Sequence, residues 1–535
     1  MFQFSAVRLL LHQRPRDLTL SDQGRGTNLL PPIEACSSSI STLDLAFAFV
    51  QRCLSTHDEC VSLGSSTSKW LPTRLVDIGF EGDHQWRLIE TAEETTDTAQ
   101  SYMTLRYRWS LHPQLLLLSS NLESFQFGNP IEQLPLTFRD AVVVARHFGV
   151  RYLWIDCLCI IQNSDTDWEA EAPMMRDVYA NSLCNIAASA SRDPDGGLFR
   201  ERDPKKIRPW TVKSTLSSGS MEKHFMLSCG YWETQLMHGG LHERGWVFQE
   251  CFLAPRVLYF AKTQVLWECS ETHGCEAFPE GIPDFEPRKD GISGPSASIA
   301  TWLSLAEEFS RCELTHPEDR LYAFAGIAKL FQETTGYHYL AGVWKEGLLY
   351  QLAWFVQCPV PRVSKRYRAP SWSWASIDGE TRFTSSTSET VQFFARIIDV
   401  HVTTKDPESM VDVFDGFIKL SCPFFTASYS RASKREPLCL EIRQRHARFL
   451  LRPIWRPNTQ DEQSLIGEGT IDFFLFSQAY RFGTRCDIEC IVVERATAKG
   501  LCKRIGIFGL DNEYISDVEV IMALGKMEHK IITLI

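Results

Sequence analysis

The sequence predicts an α/β protein: a parallel sheet with covering helices over residues 101–252, a helical region after it, and a β-rich module towards residue 535. Three observations carry this expectation. Strand and helix patterns alternate from Tyr102 to Ala190, as a sheet built from crossover units requires. Arg151–Ile161 is a near-continuous apolar run, the mark of a strand covered on both faces. Past Pro370 the chain breaks into short runs of strand-forming residues separated by turn residues.

Residues 1–40 mix Arg, Gln, Asp and Gly without a period and are expected to form a loose tail. Within 41–100, Leu43, Leu45, Ala46, Phe49, Val50, Cys53 and Leu54 recur at helical spacing, and Gly79 and Gly82 suggest a small hairpin further on. The 101–252 unit opens with a short alternating strand, Tyr102–Ser110. Phe138, Ala141, Val142, Ala145 and Phe148 then share one face of a helix over Pro135–Phe148, which Gly149 stops. After the Arg151–Ile161 strand, Asn163–Asp167 holds turn and helix-cap chemistry. Trp168, Glu171, Met175, Val178 and Ser182 continue at helical spacing, with Pro173 inside the helix as a source of a kink. Leu183–Ala190 is a further strand.

Residues 253–375 read as a hairpin around Pro255–Cys269, a surface loop at Gly281–Ser298, and helices at Ile299–Cys312, Asp319–Phe331 and Trp344–Val356. Trp372 and Trp374 alternate in an extended segment and are expected to anchor the module that follows to these helices. Residues 376–535 carry strand patterns at Val391–Val402, Phe417–Ser421, Cys439–Ile442, Phe473–Phe476, Ile488–Val493 and Arg504–Phe508, suggesting a sandwich or barrel.

Composition narrows the function. A chain of 535 residues is too long for one core and should divide into two to four units. A formal charge of -11 argues against a general binder of nucleic-acid backbones. The 17 cysteines are odd in number and scattered, several in apolar runs, which fits a reducing compartment. Neither a signal peptide nor a run of about 20 apolar residues is evident, so a soluble cytoplasmic protein is expected. Cys53-x3-His57-x2-Cys60 and Cys269-x3-His273-x-Cys275 both have ligand-like spacing. Each lacks a nearby fourth ligand, so no metal is expected and a packed helix end is the plainer reading of the first.

Several motifs together resemble the fungal heterokaryon-incompatibility (HET) domain. They are Tyr102–Ser110, Leu134-Pro135-Leu136-Thr137-Phe138-Arg139-Asp140-Ala141, the strand Tyr152–Gln162, Asp167-Trp168-x2-Glu171, Val178-Tyr179-Ala180-Asn181, Ile186-Ala187-Ala188 and Arg244-Gly245-Trp246-Val247-Phe248-Gln249-Glu250. Asp319–Ala328 and Pro370–Ser376 look like segments that accompany it, so the resemblance spans about residues 43–380. The first strand departs from the usual Leu-Ser-Tyr-x-Trp-Gly pattern: Arg106 stands for Ser and Ser110 for Gly. The resemblance implies nonself recognition and programmed cell death. Through distant similarity to TIR domains it also implies a flavodoxin-like sheet and a glutamate, here Glu171, that cleaves NAD+.

On that reading Glu171 is the candidate catalytic residue, a carboxylate that stabilises an oxocarbenium-like ribose as nicotinamide leaves. Tyr107, Arg108, Trp109 and Asp156 are the candidate NAD+-binding residues, the aromatics stacking on a ring and Asp156 meeting a ribose hydroxyl. NAD+ enters as a substrate, with no bound cofactor. The plainer alternatives are a salt bridge from Glu171 to Arg108 or Arg176, backbone bonding by Asp156, and core packing of Trp109. Arg244 and Glu250 form a substrate clamp or an internal ion pair. Cys157 and Cys159, flanking Leu158, share a strand face without an evident His partner. A non-enzymatic scaffold acting by self-association or through a protein partner, and an inactive member, stand beside the enzyme.

Overall fold

The structure, a computed structural model, describes residues 32–58, 60, 70–92, 101–110, 115–208, 210–215, 221–226, 231–236, 244–282, 297–361, 366–384, 391–405, 409–431, 438–444, 447–451, 453–460, 467–481, 485–497, 500–510 and 529–535. Most of the expected tail and of the Gly281–Ser298 loop lies outside these residues. The chain divides into two compact units, Met1–Lys289 and Asp290–Ile535.

The first unit begins with α1 (Ile40–Thr56), capped by the Ser39 side chain, which accepts from the Thr42 N–H. The expected hairpin follows as β1 (Arg74–Asp77) and β2 (Gln85–Glu90), paired antiparallel. Next come β3 (Tyr102–Arg106), β4 (Asn129–Pro130), α2 (Leu136–His147) and β5 (Tyr152–Trp154). Gly149 after α2 has φ 71, the left-handed conformation that a helix stop favours.

One expectation is corrected here, and the break expected at Pro173 takes a definite form. The strand is three residues long, and Asp156–Cys159 is a helical turn, α3, so Cys157 and Cys159 do not line one strand face. A continuous apolar run cannot distinguish a buried strand from a buried helical turn. The following helix is interrupted: α4 (Asp165–Glu171), capped by Ser164, gives way to a 3-10 turn at Ala172–Met174 and then α5 (Met175–Ala180). Pro173 lacks the N–H that a continuous α-helix would use, and the tighter turn absorbs it.

The unit is completed by β6 (Asn185–Ala187), a hairpin of β7 (Trp210–Thr215) and β8 (Met221–Met226), α6 (Gly245–Leu253), β9 (Arg256–Phe260), β10 (Val265–Cys269) and β11 (His273–Cys275). Nine strands form one sheet in the order β11-β10-β9-β6-β3-β5-β1-β2-β4. The four central strands β9, β6, β3 and β5 are parallel, and every other pairing in the sheet is antiparallel. The sheet is therefore mixed, not wholly parallel. Hairpins on both sides cover edges that a four-stranded parallel sheet would leave open. Along the chain the parallel strands take the spatial order second, first, third, fourth, which places a switch of direction at β3.

In the second unit α7 (Ile299–Ser310) and α8 (Tyr322–Thr335) match two expected helices. Trp344–Val356 does not form the third: Leu348–Leu352 is helical, and Trp354–Val356 pairs as a strand with Thr381–Phe383. Gly347 at φ 62 starts the short helix afresh, so the apolar spacing spans a break. Trp372 and Trp374 are fully buried. Trp374 opens a 3-10 turn instead of lying extended, donates to Gly342 O at 2.7 Å and packs edge-on against Phe309 and Phe324 of the two helices. The β-rich module closes on itself. Val413–Arg431 pairs with His529–Leu534 along its first half and with Gly467–Arg481 along its second. Phe425, Leu440, Phe473, Leu475, Ile488 and Phe508 fill its core.

Candidate active site of the sheet and its neighbours

The carboxyl ends of parallel strands, beside a switch in strand order, are where α/β sheets build binding sites. Here β3 ends at Arg106 and β5 is followed by Asp156, and the structure gathers polar groups around both. Trp109 Nε1 donates to Asp156 Oδ2 at 2.7 Å, and the Cys157 N–H donates to Asp156 Oδ1 at 2.7 Å. Tyr107 is buried, packs edge-on against Phe138 at 4.8 Å, and its hydroxyl hydrogen-bonds Asp156. Arg108 at the same strand end is exposed. Burial pushes the Asp156 carboxyl above its ordinary range, against the opposing hydrogen bonds from Trp109 and Cys157 and the charge of Arg244.

Glu250, on the buried face of α6, joins this cluster. Its pKa is pushed up to about 7, chiefly by burial and further by the charge of Asp156, while Arg106, Arg244 and the Tyr179 hydroxyl oppose the rise. Arg106 itself is buried, donates to Cys251 Sγ and lies over the Tyr259 ring at 5.6 Å. Its Nε and Nη2 find no hydrogen-bond partner among the described residues. The side chain that replaces the usual Ser thus brings a cation into the interior beside a buried acid.

Glu171 sits in a different group. At the last position of α4 it is 6% exposed, and its Oε1 lies 3.5 Å from Arg74 Nη2 of β1. Arg74 also makes a two-pronged contact with Asp167, through Nη1 at 3.2 Å and through Nη2. Asp167 in turn accepts the Ile161 N–H at 2.7 Å, and Thr73 hydrogen-bonds Glu171. Burial raises the Glu171 pKa and nearby Asp167 adds to it; Thr73 and Arg74 restrain it. The guanidinium on Glu171 is that of Arg74, not Arg108 or Arg176. Nothing local marks Arg74 in the sequence, since strand pairing between β1 and β5 is what carries it there. Neither Glu171 nor Asp156 lines the cavity of about 240 Å³ in the second unit, which is bounded by Tyr367, Asp415, Asn458 and Arg504 among others.

Cys53, His57 and Cys60 do acquire a fourth companion. Cys269, at the end of β10, completes a buried group whose ligand atoms all lie within 4.8 Å of one another. Cys275 and His273 stay out of it, and His273 faces Glu268 at 3.7 Å. The expectation of no metal rested on a missing ligand that the fold supplies.

Residues 102–250 match the family model described as heterokaryon incompatibility protein (HET). They are a HET domain. Its first strand is β3 and its last matched residue is Glu250, so the Asp156–Glu250 cluster and the Glu171 ion pair both involve the HET domain, the second with Arg74 from outside the match. No curated protein and no solved structure matches the chain. The HET domain implies a heterokaryon-incompatibility type of function. Among the described residues, no helix is long and apolar enough to cross a membrane.

Proposed function

We propose that this chain acts in nonself recognition and that its HET domain triggers cell death by self-association or by engaging a protein partner. The carrying observation for the means is the position of Glu171: its carboxylate is inside the fold, shared with Arg74, and Arg74 is also held by Asp167. An acid so placed stabilises the packing of α4 on β1. Expression of the full chain in a host cell tests this reading. Glu171→Gln stays as toxic as the wild type and leaves cellular NAD+ unchanged. Loss of toxicity in a variant that still folds would overturn it.

The second reading is TIR-like cleavage of NAD+ in the cytoplasm, with Glu171 as the catalytic carboxylate and Tyr107, Arg108, Trp109 and Asp156 holding the substrate. Two observations favour it. The parallel strands follow the order of the flavodoxin-like sheets, which bind ligands at this switch point. Buried acids with raised pKa values, Asp156 and Glu250, lie at the strand ends, where such groups concentrate in functional sites. Nicotinamide release by purified protein, abolished by Glu171→Gln, is its signature.

A further inference from the structure

We propose that Cys53, His57, Cys60 and Cys269 bind one structural zinc ion that staples α1 to the end of β10. Each ligand is placed by a separate feature of the chain. Cys53 and His57 are four residues apart and so share a face at the end of α1, where the His57 N–H closes the last turn on Cys53 O. Cys60 follows in the chain, and Cys269 ends the strand that packs beside α1 through the stacked rings of Phe49 and Trp267, 5.8 Å apart. All four residues are buried, Cys53, Cys60 and Cys269 completely.

The geometry suits a tetrahedral ion. Zinc–sulfur bonds of about 2.3 Å put two thiolate sulfurs of one tetrahedron about 3.8 Å apart. The four ligand atoms here all fall within 4.8 Å, and His57 Nδ1 lies 3.3 Å from Cys269 Sγ. Three thiolates and one imidazole select a borderline-soft ion over magnesium or calcium. Four protein ligands leave no open coordination position, so the ion holds structure and does not activate water.

The surroundings fit the same assignment. Three thiolates and a divalent ion leave one net negative charge, and Arg256 lies against it: Nε donates to Cys53 Sγ at 3.2 Å and Nη2 to Cys60 O at 3.3 Å. The turn after β10 turns backbone N–H groups onto sulfur, Thr272 N to Cys269 Sγ at 3.3 Å and Glu271 N to Cys60. Such partners orient thiolate ligands and tune their charge. Binding displaces the thiol protons to solvent, with no change of oxidation state.

The test is elemental analysis of the full-length protein, purified under reducing conditions without chelator. One zinc per chain is expected, with X-ray absorption showing about three sulfurs near 2.3 Å and one nitrogen near 2.0 Å. Stripping the metal from wild-type protein with a strong chelator should lower Tm by on the order of 10 °C, and restoring zinc should recover it. Cys269→Ala should lose the ion, whereas Cys60→His keeps a ligand and retains it. Wild-type protein without stoichiometric metal after growth in zinc-supplemented medium would overturn the proposal. So would absorption showing no sulfur ligands, or full zinc occupancy in Cys269→Ala. The wild-type metal content and absorption spectrum decide the matter even if a variant misfolds.

Discussion

Glu171 and Glu250 are both buried acids of the HET domain, and they differ in what stands beside them. Glu171 has Arg74 at ion-pair distance, and Arg74 is held more closely, by two hydrogen bonds, to Asp167. Glu250 has a hydroxyl and more diffuse cationic support from Arg106 and Arg244, and its pKa reaches about 7. One acid is committed to holding α4 against β1. The other is poised to exchange a proton near neutrality at the strand ends. The family resemblance singles out the first, and the electrostatics single out the second.

The largest expected effect comes from removing the cation that defines the first site. Arg74→Met leaves two acids without their guanidinium in a mostly buried setting, and should cost about 3–5 kcal/mol in urea unfolding. A loss below about 1 kcal/mol would mean that the Glu171 environment is wet, and the contrast between the two acids would collapse.

Glu250 should set a pH dependence. Its folded pKa of about 7 lies above the ordinary 4.5, so between these values the folded chain keeps a proton that the unfolded chain has released. Stability therefore falls as pH rises through that window, by up to about 3 kcal/mol from this group. Glu250→Gln should remove this component; unfolding curves from about pH 5 to about pH 8 check it. A variant with the same slope as the wild type would assign the dependence elsewhere.

Trp109→Phe removes the indole donor to Asp156 and should cost about 1.5–3 kcal/mol, the value of a hydrogen bond to a charged group. It should also raise the Asp156 pKa further, which a shift in its titration would reveal. The smallest effect belongs to Glu171→Gln. With Arg74 still held by Asp167, a neutral side chain of equal size should change stability by about 1 kcal/mol or less.

Local chemistry was readable along the chain. Gly149 ending α2, a helix cap before Asp167, and the interruption at Pro173 follow from backbone rules acting over a few residues. Three of the four parallel strands follow from alternation, but their lengths do not: the apolar run at Tyr152–Ile161 holds both a strand and a helical turn. The fourth, β9, reads along the chain only as an arm of the hairpin in 253–375, yet it joins the sheet in parallel. Pairings between distant segments were not readable. Arg74 meets Asp167 across 93 residues, and His57 meets Cys269 across 212. Each relationship depends on sheet order, which spacing within one motif does not encode. Thus the helical spacing that Glu171 shares with Trp168, Met175 and Val178 fits its burial, while the identity of its cation lies beyond local spacing.

The order of the nine strands has a practical consequence for anyone excising the matched segment. A fragment cut at residues 102 and 250 would strip β1 from the side of β5 and β9 from the side of β6. Two raw rows of backbone donors and acceptors would then face water, an invitation to aggregate. Bounds drawn from shared ancestry fall inside the nine-stranded sheet, and fragments meant to behave in solution should reach out at least to Arg74 and Cys275.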